Sequence, residues 1–165
     1  MLGKRRRSYE AGHRPKFLVI VDETEECDRA IYFAARRAMR MNCGVSLLAV
    51  IDPARVHEWL GVGDVIQQEA EEAASAMLNR AAKRAREISG IQPDVVVRQG
   101  PRSEQIMQLI DEDEDISFLV LAASSSSEGP GPLVSTLAAK SSGTFPIPIV
   151  IVPGAMSDEE IEALA

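Results

Sequence analysis

At 165 residues, with 45% apolar and 26% charged side chains, the chain suffices for one domain with a packed core and is too short for two ordinary ones. A globule of this size buries roughly 68–70% of its unfolded surface, so neither a metal nor a disulfide is needed to hold it together. Eighteen Lys+Arg against 25 Asp+Glu leave a net charge of −7, which excludes a general nucleic-acid binder, whose phosphate contacts need clustered cations.

That net charge conceals a split. Residues 1–16 hold six cations (Lys4, Arg5, Arg6, Arg7, Arg14 and Lys16) and one acid, Glu10, for +5. The rest of the chain carries 12 cations and 24 acids, or −12. The polar, terminal segment 1–16 is expected to be a disordered tail, its nearest anionic partner being the domain it is attached to. Its basic cluster resembles the start of a signal peptide, but the apolar run Phe17–Val21 is too short for one and stops at Asp22. No run approaches the roughly 20 apolar residues of a membrane helix, so no membrane partner is expected.

Five short apolar runs follow in order: Phe17–Asp22, Val45–Asp52, Asp94–Gln99, Ser117–Ala123 and Ile147–Val152. Most are continuous rather than alternating, as in strands of a parallel sheet covered on both faces. Helical patterns separate them. Cys27–Met41 puts Ala30, Ile31, Ala34, Ala35 and Ala38 on one stripe opposite four arginines, and Asn42 and Gly44 supply a stop. Val65–Ser89 is a longer helix ended by Gly90 and Pro93. A third begins at Ser103, and Pro132–Ser142 makes a fourth, closed by Gly143. Ser157–Ala165 predicts a short, frayed helix.

Strands alternating with helices predict an α/β fold, a doubly wound five-stranded parallel sheet with helices on both faces and strand order 3-2-1-4-5. The expected organisation is a tail over 1–16, an α/β domain over 17–153 and an acidic extension over 154–165. Cys27 and Cys43 sit at the two ends of one predicted helix, about 24 Å apart at about 1.5 Å per residue, beyond disulfide reach. They also lack metal-ligand spacing. Both read as buried thiols in a reducing compartment, which predicts a cytoplasmic protein.

In such a sheet, ligands bind outside the carboxyl ends of the strands where the winding reverses. Two strand ends stand out. Asp22, at the end of the first strand, is either part of a helix start with Thr24 and Glu25, or an acceptor for a base or ribose. Ala122–Gly131, rich in serine and glycine and leading into a helix, is either a phosphate cradle or a plain solvent loop. It contains neither a P-loop nor a dinucleotide fingerprint. Asp111-Glu-Asp-Glu-Asp115 reads as a solvated loop rather than a cation site. His57-Glu-Trp59-Leu60 is either a lid or a packed loop. No catalytic constellation and no metal site are read from the chain.

Together these elements resemble the universal stress protein family over residues 17–153. The resemblance rests on Asp22-Glu-Thr24-Glu after the first strand, Leu47–Asp52 as the second, Gly100-Pro101 with Glu104 and Ile106 as a turn into a helix, and Pro146–Val152 as a proline-bounded last strand. ATP-binding members carry a G-x2-G-x9-G-[S/T] loop after the fourth strand. Here its spacing falls on Ala122, Ser125 and Ser135-Thr136, with all three glycines replaced. Left-handed geometry at those positions would cost about 1–2 kcal/mol at each replacement, and Glu128 adds a charge that repels triphosphate.

The resemblance implies roles residue by residue. Asp22 by its side chain and Val50 by its backbone would hold adenine; Ala122, Ser124 and Ser125 would line ribose and phosphates; Ser135, Thr136 and Leu137 would meet the triphosphate end. ATP or AMP is the implied ligand, with Mg²⁺ only alongside nucleotide. A homodimer through the last strand is implied too, placing Ile147, Ile149 and Ile151 at the interface. The leading expectation is a non-enzymatic stress-response protein acting through dimerisation and ligand or partner binding. Its alternative is an ATP-binding switch with weak or no hydrolysis. A flavoprotein relative on the same sheet ranks below both.

Overall fold

The computed structural model describes residues 5–53 and 63–165. Five parallel strands, β1 (Lys16–Ile20), β2 (Gly44–Ile51), β3 (Asp94–Gln99), β4 (Ile116–Ala123) and β5 (Ile149–Pro153), form one sheet in the order β3-β2-β1-β4-β5. This is the predicted doubly wound α/β sheet. The helices are α1 (Cys27–Met41), α2 (Gly63–Ser89), α3 (Arg102–Glu112) and α4 (Asp158–Leu164), with a π-helical stretch at Val134–Lys140. The reading of His57, Trp59 and Leu60 as a lid or packed loop lies outside the described residues.

Each face of the sheet has its own core. Alternate residues of a strand point to opposite faces, so Phe17, Val19, Leu47 and Val120 meet α1 and α2, while Leu18, Ile20, Leu48 and Leu119 meet α3 and the π-helical stretch. The alanine stripe of α1 does what its spacing predicts: Ala34, Ala35 and Ala38 are fully buried. Small side chains there let the helix lie close to the sheet. Asn42 ends α1 in the left-handed conformation at φ 55°, tolerated by asparagine, and its N–H donates to Ala38 O. Phe17 and Phe118, paired in register across β1 and β4, stack at 5.0 Å.

Two terminal segments depart from expectation. Residues 5–16 are not a detached tail. Arg6 Nη1 donates to the carbonyls of Ile110 (2.6 Å), Asp113 (3.0 Å) and Ile116 (3.3 Å), and Lys16 pairs with Asp94 and Asp113. His13 Nδ1 meets Asp115 Oδ1 at 2.7 Å, and Ser8 is buried against Ser117. The acidic run 111–115, read as solvated surface, is the dock. Opposite charge over a short span of chain overrides the polarity that predicts disorder.

The C-terminal helix is not frayed either. Ser157 and Glu160 form a reciprocal capping box, Ile161 is fully buried, and Arg40 donates to the carbonyls of Glu162 and Ala165. Cys27 and Cys43 are both free and buried. No helix among the described residues is long and apolar enough to cross a membrane.

Candidate functional site

The winding reverses between β1 and β4, so the crevice of interest lies beyond their carboxyl ends. The β1–β2 ladder stops at Ile20↔Leu48, with Val21 N–H donating to Leu48 O, whereas β2–β3 pairing continues to Ile51↔Gln99. β2 therefore overshoots β1. Ile51 O accepts from Gly100 N on the β3 side. Because successive residues of a strand alternate their polar groups, Val50 turns its N–H and C=O the other way, into the crevice. That is the backbone position expected to meet a base.

Asp22 stands at the same mouth, but its carboxylate already serves its own turn. Oδ1 accepts from Thr24 N (3.0 Å) and from Thr24 Oγ1 (2.5 Å). Neither Thr24 nor Glu25 caps α1; Glu26 is the flanking residue and makes no side-chain cap. Beneath Asp22, Cys27 Sγ lies 3.7 Å from Ile20 O, and burial pushes its thiol up to about 12. A thiol so placed stays protonated near neutrality and is no nucleophile.

The serine loop closes on itself. Ser124 N donates to Pro130 O at 3.0 Å and Gly129 N to Ser126 O at 3.2 Å. Two seryl turns take further amides: Ser126 N to Ser124 Oγ and Glu128 N to Ser126 Oγ. Ser135 N donates to Gly131 O. The amides of Ser124, Ser126, Glu128 and Gly129 are thus taken up within the loop, and that of Ser135 within the first turn of the helix that follows. Positive φ in the loop falls on Gly129 (112°) and Gly131 (99°), and on none of Ala122, Ser125 and Ser135. The strain considered for the three replaced glycines is thus not incurred, because the left-handed corners have moved to the Gly-Pro-Gly-Pro stretch.

Acids lie near this loop. A Cβ built on Gly131 would stand 3.8 Å from Glu26 Oε1, and one on Gly154 would lie 3.1 Å from Glu26 Cβ. Glu128 lies within the loop itself, and Asp22 at the neighbouring exit of β1. Beside them a cavity of about 220 Å³ opens between α3 and the π-helical stretch, lined by Asp52, Arg102, Ser103, Pro132, Leu133, Thr136 and Leu137. Thr136 is exposed and Leu137 buried. Thr136 and Leu137 are thus brought together with Asp52 and Arg102, whereas Asp22, Val50, Ala122, Ser124, Ser125 and Ser135 do not line this cavity.

Arg102 and Ser103 are the site residues that the sequence reading missed. The loop itself lacks a cation, but the first turn of α3 supplies one from across the rim. The Gly100-Pro101 turn was the available signal, since it too follows a strand's carboxyl end. Pro132–Ser142, expected as an ordinary helix, is π-helical over Val134–Lys140, an irregularity common at functional sites.

Fold and crevice define an open, doubly wound α/β protein with its crevice at the topological switch point. The sequence pattern of the universal stress protein family matches residues 13–153, and the chain belongs to that family. Solved structures agree in fold. The universal stress protein UspA from Lactobacillus plantarum is 19% identical with a TM-score of 0.64, covering 84% of this chain and 97% of its own. A universal stress protein in complex with cAMP is 18% identical with a TM-score of 0.60, the match covering 86% and 98% of the two chains. One from Archaeoglobus fulgidus in complex with dAMP is 17% identical with a TM-score of 0.55, over 84% and 96%. No curated protein matches the chain in sequence.

Proposed function

We propose that this is a non-enzymatic, cytoplasmic universal stress protein that acts by dimerising through β5 and binding a ligand or partner, without using its serine loop as a triphosphate switch. The observation that carries this reading is the self-closed loop: four of its backbone amides, those of Ser124, Ser126, Glu128 and Gly129, are bonded internally, Glu128 is part of it and Glu26 lies beside it. Opening such a loop for ATP would forfeit those bonds and bring a polyanion against like charge. Dimerisation is supported by the β5 edge. That strand has no outer neighbour, Ile149 is half-buried and Ile151 is 43% exposed. An apolar edge of this kind pairs or aggregates. Ile147, expected at the interface, is instead buried in the core on the α3 side of the sheet and precedes β5.

A second reading, an adenine-nucleotide-binding switch with weak or no hydrolysis, is favoured by the cavity that brings Arg102, Ser103 and Thr136 together. At about 220 Å³ it is smaller than the roughly 300–1,000 Å³ of ordinary ligand sites. It suits one phosphate better than three. In that reading Asp22 and Val50 hold the base, and AMP is preferred to ATP. The solved relatives bound to cAMP and dAMP hold ligands with a single phosphate.

Mass spectrometry of small molecules released from freshly purified protein separates the two readings. The first predicts no stoichiometric nucleoside triphosphate, and stoichiometric ATP overturns it; stoichiometric AMP selects the second. Sedimentation of Ile149→Lys tests the dimer: the variant runs as a monomer or precipitates, and an unaltered dimer would remove β5 from the interface.

A further inference from the structure

A second concavity lies at the other end of the sheet. It measures about 530 Å³, and its walls include Arg5 and Tyr9 on one side and Phe118, Pro146 and Pro148 on the other. The N-terminal segment, held down by Arg6 and Lys16, builds the first wall. Tyr9 is 81% exposed there. Phe118 forms part of an apolar floor, since its ring stacks on Phe17. Glu10 and Arg6 also line the groove, so its aromatic and proline surface lies beside two cations and one acid, the composition of an interface rather than of ordinary solvated surface.

Position decides what covers it. Pro146–Pro148 lead directly into β5, so the groove is continuous with the open edge of that strand. A strand that pairs with its own copy across a two-fold axis runs antiparallel to it. Residues before the strand then face residues after it in the partner. With the axis at Ile151, Pro146–Pro148 face positions 154–156; with the axis at Val150, they face 152–154. The first register delivers the segment leaving the partner's β5 to the groove, and the second delivers the last residues of that strand with Gly154. Next in the chain comes the acidic first turn of α4, Asp158, Glu159 and Glu160. Asp158 is paired with Arg29, and Glu160 is engaged in the capping box, whereas Glu159 is exposed. Arg5 is exposed on the facing wall.

We infer that this groove receives a second copy of the chain: the partner's residues 153–157 lie along Tyr9 and Phe118, and Arg5 faces the partner's Glu159. The N-terminal segment is then half of a dimer contact that the domain alone could not make. The inference rests on β5 pairing, and its test distinguishes the two. Equilibrium sedimentation of the full chain is run on wild type, Tyr9→Ser, Arg5→Glu, Glu159→Arg and the double charge swap, with Arg80→Glu on α2 as a control of equal charge change. Each of the three single changes at the contact weakens the dimer about tenfold, roughly 1.4 kcal/mol, and the charge swap recovers most of that loss. The control leaves it unchanged, and circular dichroism verifies folding of every variant. Should wild type dimerise and Ile149→Lys dissociate while the groove variants stay within about twofold, β5 pairing stands and the groove inference is wrong. A charge swap that fails to recover affinity overturns the Arg5–Glu159 contact. A wild type that is monomeric throughout overturns both.

Discussion

Replacing Arg6 by alanine tests how the N-terminal segment is held. α3 has no basic residue in its last turn, so its C-terminal carbonyls lack the cation that a helix end favours. Arg6 brings that cation from more than a hundred residues away, donating to Ile110, Asp113 and Ile116 carbonyls. One Nη1 carries only two hydrogens, so the three contacts amount to about two bonds. Charge-assisted bonds contribute about 1.5–3 kcal/mol each when fully buried. Partial exposure lowers that, and the helix-end interaction adds about 0.3–1 kcal/mol. A total near 2–3 kcal/mol follows. For a chain of this size each kcal/mol moves the melting temperature by about 2–4 °C, so Arg6→Ala lowers it by about 4–12 °C. Urea unfolding, with Arg80→Ala on the exposed face of α2 as control, gives the free energy directly; the control stays within about 0.5 kcal/mol. If Arg6→Ala matched the control, the Arg6 contact with the end of α3 would contribute nothing to the fold, and the segment would be held by contacts such as those of Lys16, His13 and Ser8.

Other expectations follow from the same contacts. Burial disfavours the Asp28 carboxylate, but bonds from Arg84 and Arg29 outweigh it and hold Asp28 below the usual carboxylate range. Its contribution is therefore present above the unfolded-state pKa and is lost as pH falls through the lower folded value; Asp28→Asn flattens the acid limb of a stability–pH curve measured by urea titration. Gly154→Ala would bring a Cβ to 2.5 Å from Ala123 O, a backbone atom that cannot swing aside. Thermal melts register this as about 1–3 kcal/mol of destabilisation; an unchanged melt would show that the β5 exit relaxes freely. Glu128→Gln with Glu26→Gln removes two carboxylates from the loop mouth, so mononucleotide affinity rises several-fold in calorimetry. No change would mean those charges do not guard the site.

How much of this was legible in the sequence depends on the range of the interaction. The sheet was readable because each strand is a local apolar run and the alternation with helices leaves few topologies. Ala34, Ala35 and Ala38 announced their burial by spacing alone, and Asn42 announced the end of α1. The Ser157–Glu160 capping box was also local, four consecutive residues, yet a terminal acidic stretch favours reading it as frayed. Arg6 could not be placed, since its partners are backbone carbonyls at the far end of α3. Arg102 escaped for a similar reason: only the closed sheet brings the β3 exit beside the fourth connection. The replaced glycines were visible, but their consequence was not, because φ at Ala122, Ser125 and Ser135 depends on the path taken by Gly129 and Gly131.

Isothermal titration of the purified protein with MgATP bears most directly on the claim that the serine loop is not a triphosphate cradle. With four of its amides bonded internally, Glu128 within it and Glu26 beside it, the account predicts no binding tighter than about 1 mM, a free energy of about −4 kcal/mol. A dissociation constant near 1 μM, about −8 kcal/mol, lost on Thr136→Ala, would contradict it.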